Sequence, residues 1–349
     1  MQPHPIPPPD SVPPPPSVRP AVGAAIERSP LEETLFEVKR LIVGQDRMLE
    51  RLLVGLLARG HVLIEGVPGI AKTATVKALA TAVGGTFGRI QFTPDLVPAD
   101  LTGTRIFDPQ RAEFSIELGP VFCNLLLADE VNRAPAKVQS ALLEVMQEHQ
   151  VTIGKETFRT PEPFMVVATQ NPIEADGTYP LPEAQIDRFM LKVLAGYPSF
   201  TEELVVIERI TGEAVELREV LSIDQLESMQ RAAAKVYVDP AVSRYAAQLT
   251  AATRQPAQLG LTEFAGSIAY GASPRATIHL VQAAKALALM RGRTYALPYD
   301  VVEVAPEVIR HRLLLTYEGI AAGVTPEHVV QKLLERNPAP HLELRDRAG

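Results

Sequence analysis

The segment Gly66-Val67-Pro68-Gly69-Ile70-Ala71-Lys72-Thr73 places two glycines, a lysine and a threonine on one short turn. An aliphatic run precedes it and a helical pattern follows, which is the setting a phosphate-binding loop needs. Backbone amides of a tight loop and the first turn of a helix point at phosphate oxygens. On this reading Gly66, Val67, Pro68, Gly69, Ile70, Ala71, Lys72, Thr73 and Ala74 bind a nucleotide. Lys72 reaches the β- and γ-phosphates, and the Thr73 hydroxyl is a ligand for Mg²⁺. Glycine is usual where Ala71 stands. Alanine keeps the amide donor, but a left-handed backbone there would cost roughly 1–2 kcal/mol.

Further along, Leu125-Leu126-Leu127-Ala128 leads into Asp129-Glu130. An apolar strand that ends in two carboxylates delivers them where ligands bind in open α/β sheets. Side chains alternate along a strand, so the pair is expected to point to opposite sides. Asp129 then holds Mg²⁺, and Glu130 polarises the attacking water. Val166–Thr169 repeats the pattern and ends in Gln170-Asn171-Pro172, where Asn171 can orient that water or bind the γ-phosphate. Arg188, just before another apolar run, can stabilise transition-state charge in a neighbouring subunit's site. Ser273 and Pro274 read as the cap and first residue of a helix, which puts Arg275 in its first turn. A cation there opposes the helix dipole, so a nearby anion such as a phosphate is expected.

The elements that must position these residues fall into two zones. Between His61 and Tyr197, short aliphatic strands alternate with helices: His61–Glu65, Arg89–Phe92, Leu125–Asp129, Phe164–Thr169 and Phe189–Val193. This predicts an α/β fold, an αβα sandwich on a mostly parallel five-stranded sheet. Residues 93 to 120 read as irregular, and Gln150–Arg159 as a β-hairpin around Gly154-Lys155. Two helices precede the sheet, one capped by Ser29-Pro30 and running to about Leu41. The other has Met48, Leu52, Leu53, Leu56 and Leu57 at helical spacing. After Pro198 the pattern is helical, with breaks near Gly212, Asp239-Pro240, Gln255–Gly260, Gly271–Pro274 and Leu297-Pro298. The expected division is a tail at 1–28, an ATPase domain at 29–198, a small all-α lid domain at 199–336 and a C-terminal tail at 337–349.

Composition restricts the partners. Against 34 Lys and Arg stand 41 Asp and Glu, a net charge of -7, which argues against nucleic acid as the main partner. The single cysteine, Cys123, can form no internal disulfide and lies beside an apolar run, as a small buried hydrophobe in a reducing compartment does. No apolar stretch reaches the ~20 residues of a membrane span and no signal peptide is visible, so the expected location is cytoplasmic. Residues 1 to 20 are so rich in proline that an extended, solvated tail is expected.

Together these segments resemble the MoxR family of AAA+ ATPases, P-loop NTPases. The resemblance rests on Val43-Gly44-Gln45, Glu65–Thr73, Gln91–Leu96, Leu127–Pro135, Met146–Ile153, Ala168–Pro172, Leu181–Phe189 and Gly271–Ala276, spread over about residues 30 to 336. It implies a hexameric ring with MgATP between subunits. Gly66–Thr73 looks like Walker A and Asp129-Glu130 like Walker B. Asn171 corresponds to sensor 1, Arg188 to the arginine finger and Arg275 to sensor 2. Val43 and Gly44 stand where the family contacts adenine. The region 93 to 120 resembles the helix-2 insert and Gln150–Arg159 the pre-sensor-1 hairpin; Arg133 falls in a matched segment, with an interface role. The family also implies chaperone-like action with a von Willebrand factor A domain partner on a client protein. Three alternatives stay open on sequence alone: a nucleotide-gated scaffold with little turnover, a nucleic-acid motor and a magnesium-chelatase-like motor subunit.

Overall fold

The computed structural model describes residues 29–110, 112–172 and 177–341. The proline-rich tail expected at 1–28, and most of the C-terminal tail, lie outside the described residues.

Helix α1, Pro30–Lys39, starts where the sequence places it. Ser29 Oγ accepts from the Glu32 amide, and the Glu32 carboxylate accepts from the Ser29 amide, a capping box that satisfies two otherwise orphaned donors. Helix α2 spans Asp46–Leu57. The sheet strands β1 (Val62–Gly66), β2 (Phe87–Gln91), β5 (Leu125–Asp129), β8 (Met165–Gln170) and β9 (Leu191–Ala195) pair in the order β2-β5-β8-β1-β9, every pair parallel. Helix α3 (Lys72–Ala82) follows β1, and α5 (Ala136–Glu148) follows β5.

Alternation along the strands divides the core into two. Val62, Ile64, Leu125, Leu127, Met165, Val167, Leu191 and Val193 join the cluster that includes α1, α2 and α3. Leu63, Leu126, Ala128, Val166 and Ala168 join the cluster built on α5. The central strands β1, β5 and β8 are thus buried on both faces, as a parallel sheet covered by helices requires, while the edge strands β2 and β9 are only partly covered. Cys123 belongs to this second cluster, 5% exposed, and burial pushes its thiol up to about 12.

Residues 93 to 120 are not irregular. They form the short helix α4 (Pro98–Thr102) and an antiparallel hairpin, β3 (Gly103–Asp108) with β4 (Glu113–Leu118). The hairpin rests on the second cluster through Ile116 and leaves Ile106, Phe107, Phe114 and Leu118 exposed. Strand β4 alternates strictly, Glu113-Phe114-Ser115-Ile116-Glu117-Leu118, a period-two signal that the reading as irregular passed over; β3 carries no such pattern. The second hairpin, β6 (Gln150–Ile153) with β7 (Glu156–Arg159), turns at Gly154 with φ +66, as expected.

After the short helix α6 (Glu183–Ile186) and β9, the chain is mainly helical: α7 (Phe200–Thr211), α8 (Ile223–Lys235), α9 (Pro240–Arg254), α10 (Pro274–Met290), α11 (Pro298–Ile309), α12 (Tyr317–Ala321) and α13 (Pro326–Arg336). Two ribbons accompany them, β10 (Tyr237–Val238) with β12 (Tyr295–Ala296), and β11 (Ile268–Tyr270) with β13 (Leu314–Leu315). Helix α2 joins the two zones. Met48, Leu49, Leu52, Leu53, Val54, Leu56 and Leu57 are all buried, so both of its faces are covered. One side meets β9; the other meets α8 and α10. Arg51, 2% exposed, lies against Glu50, Glu303 and Glu307, which ties α2 to α11 by charge as well as packing. From Met48 onward the apolar residues of α2 are buried against both zones, while Asp46 and Arg47 in its first turn stay exposed.

Candidate nucleotide site

The loop expected to bind phosphate leaves the C-terminal end of β1 and enters α3 at Lys72. Gly66 must be glycine: a Cβ there would meet the Ala195 carbonyl oxygen at 2.5 Å and Ile70 Cδ1 at 2.9 Å. Gly69 takes φ +84. Ile70 is buried in the core and anchors the loop, while Pro68, Gly69 and Ala71 are exposed. Ala71 is left-handed, φ 62 and ψ 23, so the conditional cost of an alanine applies. Lys72 Nζ donates to the Gly66 carbonyl at 2.6 Å, which holds the ammonium across the mouth of the loop. Burial lowers the Lys72 pKa, against the pull of Asp129 and Glu130.

Asp129 ends β5 as the sequence predicts, but the two carboxylates are not separated by strand alternation. Glu130 has already left the strand, with φ 55 and ψ 52. This left-handed turn aims it. Thr169, on the neighbouring β8, links the pair: its Oγ1 donates to Asp129 Oδ1 at 2.6 Å and accepts from the Glu130 amide at 2.9 Å. Strand β2 adds two side chains that sequence reasoning missed. Arg89 donates to Asp129 Oδ2 at 2.8 Å, and Gln91 to Glu130 Oε2 at 2.8 Å. Arg133 pairs with the same Glu130 oxygen at 3.1 Å. The available signal was period two: Arg89 and Gln91 share one face of β2, and the register sets Gln91 opposite Asp129.

Asn171 follows β8 directly and is 7% exposed. Since β5, β8 and β1 are adjacent, the loop, Asp129, Glu130 and Asn171 gather at one end of the sheet. Val43 and Gly44 come to the same end. Gln45 Nε2 donates to the Gly196 carbonyl just beyond β9, and a Cβ on Gly44, φ +74, would meet Glu202 and Pro198 at 3.1 Å.

Arg188 and Arg275 are not brought to this end. Arg188 precedes β9, at the N-terminal end of the sheet, where the Met190 amide donates to the His61 carbonyl at 2.8 Å. Its guanidinium donates to the Leu143 carbonyl at 2.9 Å. Arg275 lies in the first turn of α10, capped by Ser273 as expected. The anion beside it is a protein group, Asp187 Oδ2 at 3.3 Å, and not a phosphate of this chain's own loop. Both arginines line a cavity of about 600 Å³ together with Arg59, Arg231 and Lys285; no Asp or Glu and no loop residue is among its described lining.

The donors fit a magnesium nucleotide. The loop offers exposed backbone, a lysine and a helix N-terminus to phosphates. Among the described residues no group of three or more His, Cys, Asp or Glu converges on a point. Magnesium needs no such cage: it keeps several waters and takes one or two carboxylates with the phosphates.

Comparison with known proteins gives the class of the chain. The family model for the ATPase family associated with various cellular activities (AAA) matches residues 61–191, and the AAA lid domain model matches 262–333. Chaperone MoxR1 of Mycobacterium tuberculosis is 54% identical over 94% of this chain and 87% of its own. Protein MoxR of Paracoccus denitrificans is 36% identical over 82% of this chain and 89% of its own. A crystal structure from Cytophaga hutchinsonii superposes with a TM-score of 0.85 at 45% identity, covering 89% of this chain and 95% of that one. Sheet, loop and helical lid are those of an AAA+ protein. Within that class the chain belongs to the MoxR family of AAA+ ATPases.

Proposed function

We propose that this chain hydrolyses MgATP between neighbouring copies of itself and uses the cycle to remodel a protein partner in the cytoplasm. The observation that carries the reading is the separation of the two half-sites. Loop, Asp129, Glu130 and Asn171 lie at one end of the sheet, and Arg188 with Arg275 at the other, in a cavity rich in cations. An arginine that cannot reach its own loop serves the loop of another copy. ATP with its magnesium supplies the anhydride bond. Lys72 and the loop amides hold the phosphates, Thr73 and Asp129 hold the metal, and Glu130 takes the proton of the attacking water. Asn171 orients that water. Arg188 and Arg275 place positive charge where it accumulates on the neighbour's phosphates.

The exposed Phe200, Leu204, Ile207 and Ile210 on α7, at helical spacing, support burial against another copy in a ring, a hexamer by family resemblance. The exposed apolar hairpin β3–β4 supports contact with a client protein, with a von Willebrand factor A domain partner implied by the same kinship. The fold lends no specific support to a scaffold without turnover, a nucleic-acid motor or a chelatase subunit.

Mixing experiments test the reading. Arg188→Ala and Glu130→Gln should each abolish hydrolysis and spare ATP binding. Mixed, they should recover part of the activity, because one complete site forms between them. No recovery at any ratio would overturn the assignment.

A further inference from the structure

Asp187, the residue before Arg188, is the meeting point of three donors. Ser273 Oγ reaches its two oxygens at 3.0 and 3.1 Å, Arg275 reaches Oδ2 at 3.3 Å, and Arg312 Nε reaches Oδ1 at 2.7 Å. Arg312 itself is 1% exposed on the side chain. Its Nη2 donates to the Asp187 carbonyl at 3.0 Å and to the Phe189 carbonyl at 2.7 Å, the residues on either side of Arg188. Its Nη1 donates to the Met190 carbonyl at 3.4 Å and to the Val308 carbonyl. His279, on α10, accepts from Arg312 at 2.8 Å; burial, with Arg312 and Arg275 nearby, pushes its pKa down to about 3, so it stays an acceptor at neutral pH.

Taking a guanidinium out of water costs several kcal/mol unless its donors are satisfied. Here they are spent on the backbone that carries one catalytic arginine and on the carboxylate that holds the other. The bonds to Met190 and Val308 fasten the helical zone to the sheet, but they do not call for a carboxylate placed between two further donors at Ser273 and Arg275. Catalysis explains it: two charges that must reach one phosphate group together have to be fixed relative to each other.

We propose that Asp187 and Arg312 are positioning residues that lock Arg188 and Arg275 into one bracket, so that both arginines address the neighbour's phosphates as a unit. The inference rests on the reading that these arginines act on another copy. Arg312 comes from the segment after α11, Arg275 from the start of α10 and Arg188 from the edge of the sheet. The bracket thereby couples the helical zone to the sheet.

Complementation with the full-length chain tests it. Asp187→Asn keeps the shape and removes the charge. It should lower kcat by about tenfold or more, the scale of a lost hydrogen bond to a charged group, and leave ATP affinity by calorimetry unchanged. Mixed with Glu130→Gln, it should recover activity to the extent that Arg188→Ala does. Mixed with Arg188→Ala, it should not recover, because both lesions lie in the same half-site. Asp187→Glu should restore part of the loss. Full turnover in Asp187→Asn, a matching loss of ATP affinity, or recovery in the mixture with Arg188→Ala would overturn the proposal. Should Asp187→Asn not fold, Ser273→Ala takes its place in the same mixtures, and an unchanged kcat would overturn it equally. If the control mixture of Arg188→Ala with Glu130→Gln fails, it is the shared-site reading that falls.

Discussion

The Arg89 guanidinium lies 2.8 Å from Oδ2 of Asp129, so the carboxylate assigned to magnesium already carries a counter-charge from the neighbouring strand. On the proposed reading, metal and guanidinium compete for this carboxylate. Arg89 is about half exposed, 48% on the side chain, so water screens the pair. Such a pair is worth about 0–1 kcal/mol. Arg89→Gln should lower the magnesium concentration that half-saturates ATP hydrolysis by about two- to fivefold. A titration of activity against magnesium at saturating ATP measures it. An unchanged or higher requirement would show that the guanidinium does not compete.

Ala71 offers a separate test of the loop. Its left-handed backbone costs roughly 1–2 kcal/mol, which glycine would not incur. Glycine also frees the unfolded chain, an offset of about 0.4–1 kcal/mol. Ala71→Gly should therefore raise stability by about 0.5–1 kcal/mol in urea unfolding and leave ATP affinity unchanged. A fall in stability would mean that the residue is not left-handed in solution.

His61 makes stability depend on pH. Its Nδ1 accepts from the Val166 amide at 3.0 Å, which leaves Nε2 as the donor to the Met146 carbonyl at 3.0 Å. Both bonds need the neutral ring. Burial lowers its pKa from 6.5 to about 4, so below pH 6.5 the unfolded chain binds the extra proton more readily than the folded one. The contribution is complete above about pH 6.5 and is lost as the pH falls toward 4, on the order of 3 kcal/mol in all. His61→Gln should start less stable at pH 7.5. It should then lose about 2–3 kcal/mol less than the parent between pH 7.5 and 4.5. Equal losses in the two proteins would refute a neutral His61.

The features legible in the sequence are those decided over a few neighbouring residues. Gly66–Thr73 declares itself because strand, turn and helix follow one another directly, and the Ser29 and Ser273 caps for the same reason. The alternation reading failed at Glu130, where one left-handed residue redirects the chain. The hairpin β3–β4 was passed over although Glu113–Leu118 alternates at every position, since β3 does not and the pair joins no larger sheet. The second apolar face of α2 was hidden, because what covers it, α8 and α10, arrives more than 160 residues later. Arg312 was invisible for the same reason: it reaches Asp187 across 125 residues. Arg89 and Gln91 needed the strand order, which no local pattern contains.

The placement of loop and arginines at opposite ends of one sheet gives each molecule a front and a back. Two copies related by a two-fold axis would set front against front, and no pocket would be completed. Only a repeated turn in one direction joins front to back at every contact, and only a closed circle leaves no terminal copy with an unmatched end. On the proposed reading an open row of copies therefore wastes one pocket however long it grows, and dilution below the assembly threshold silences the protein without altering any single chain.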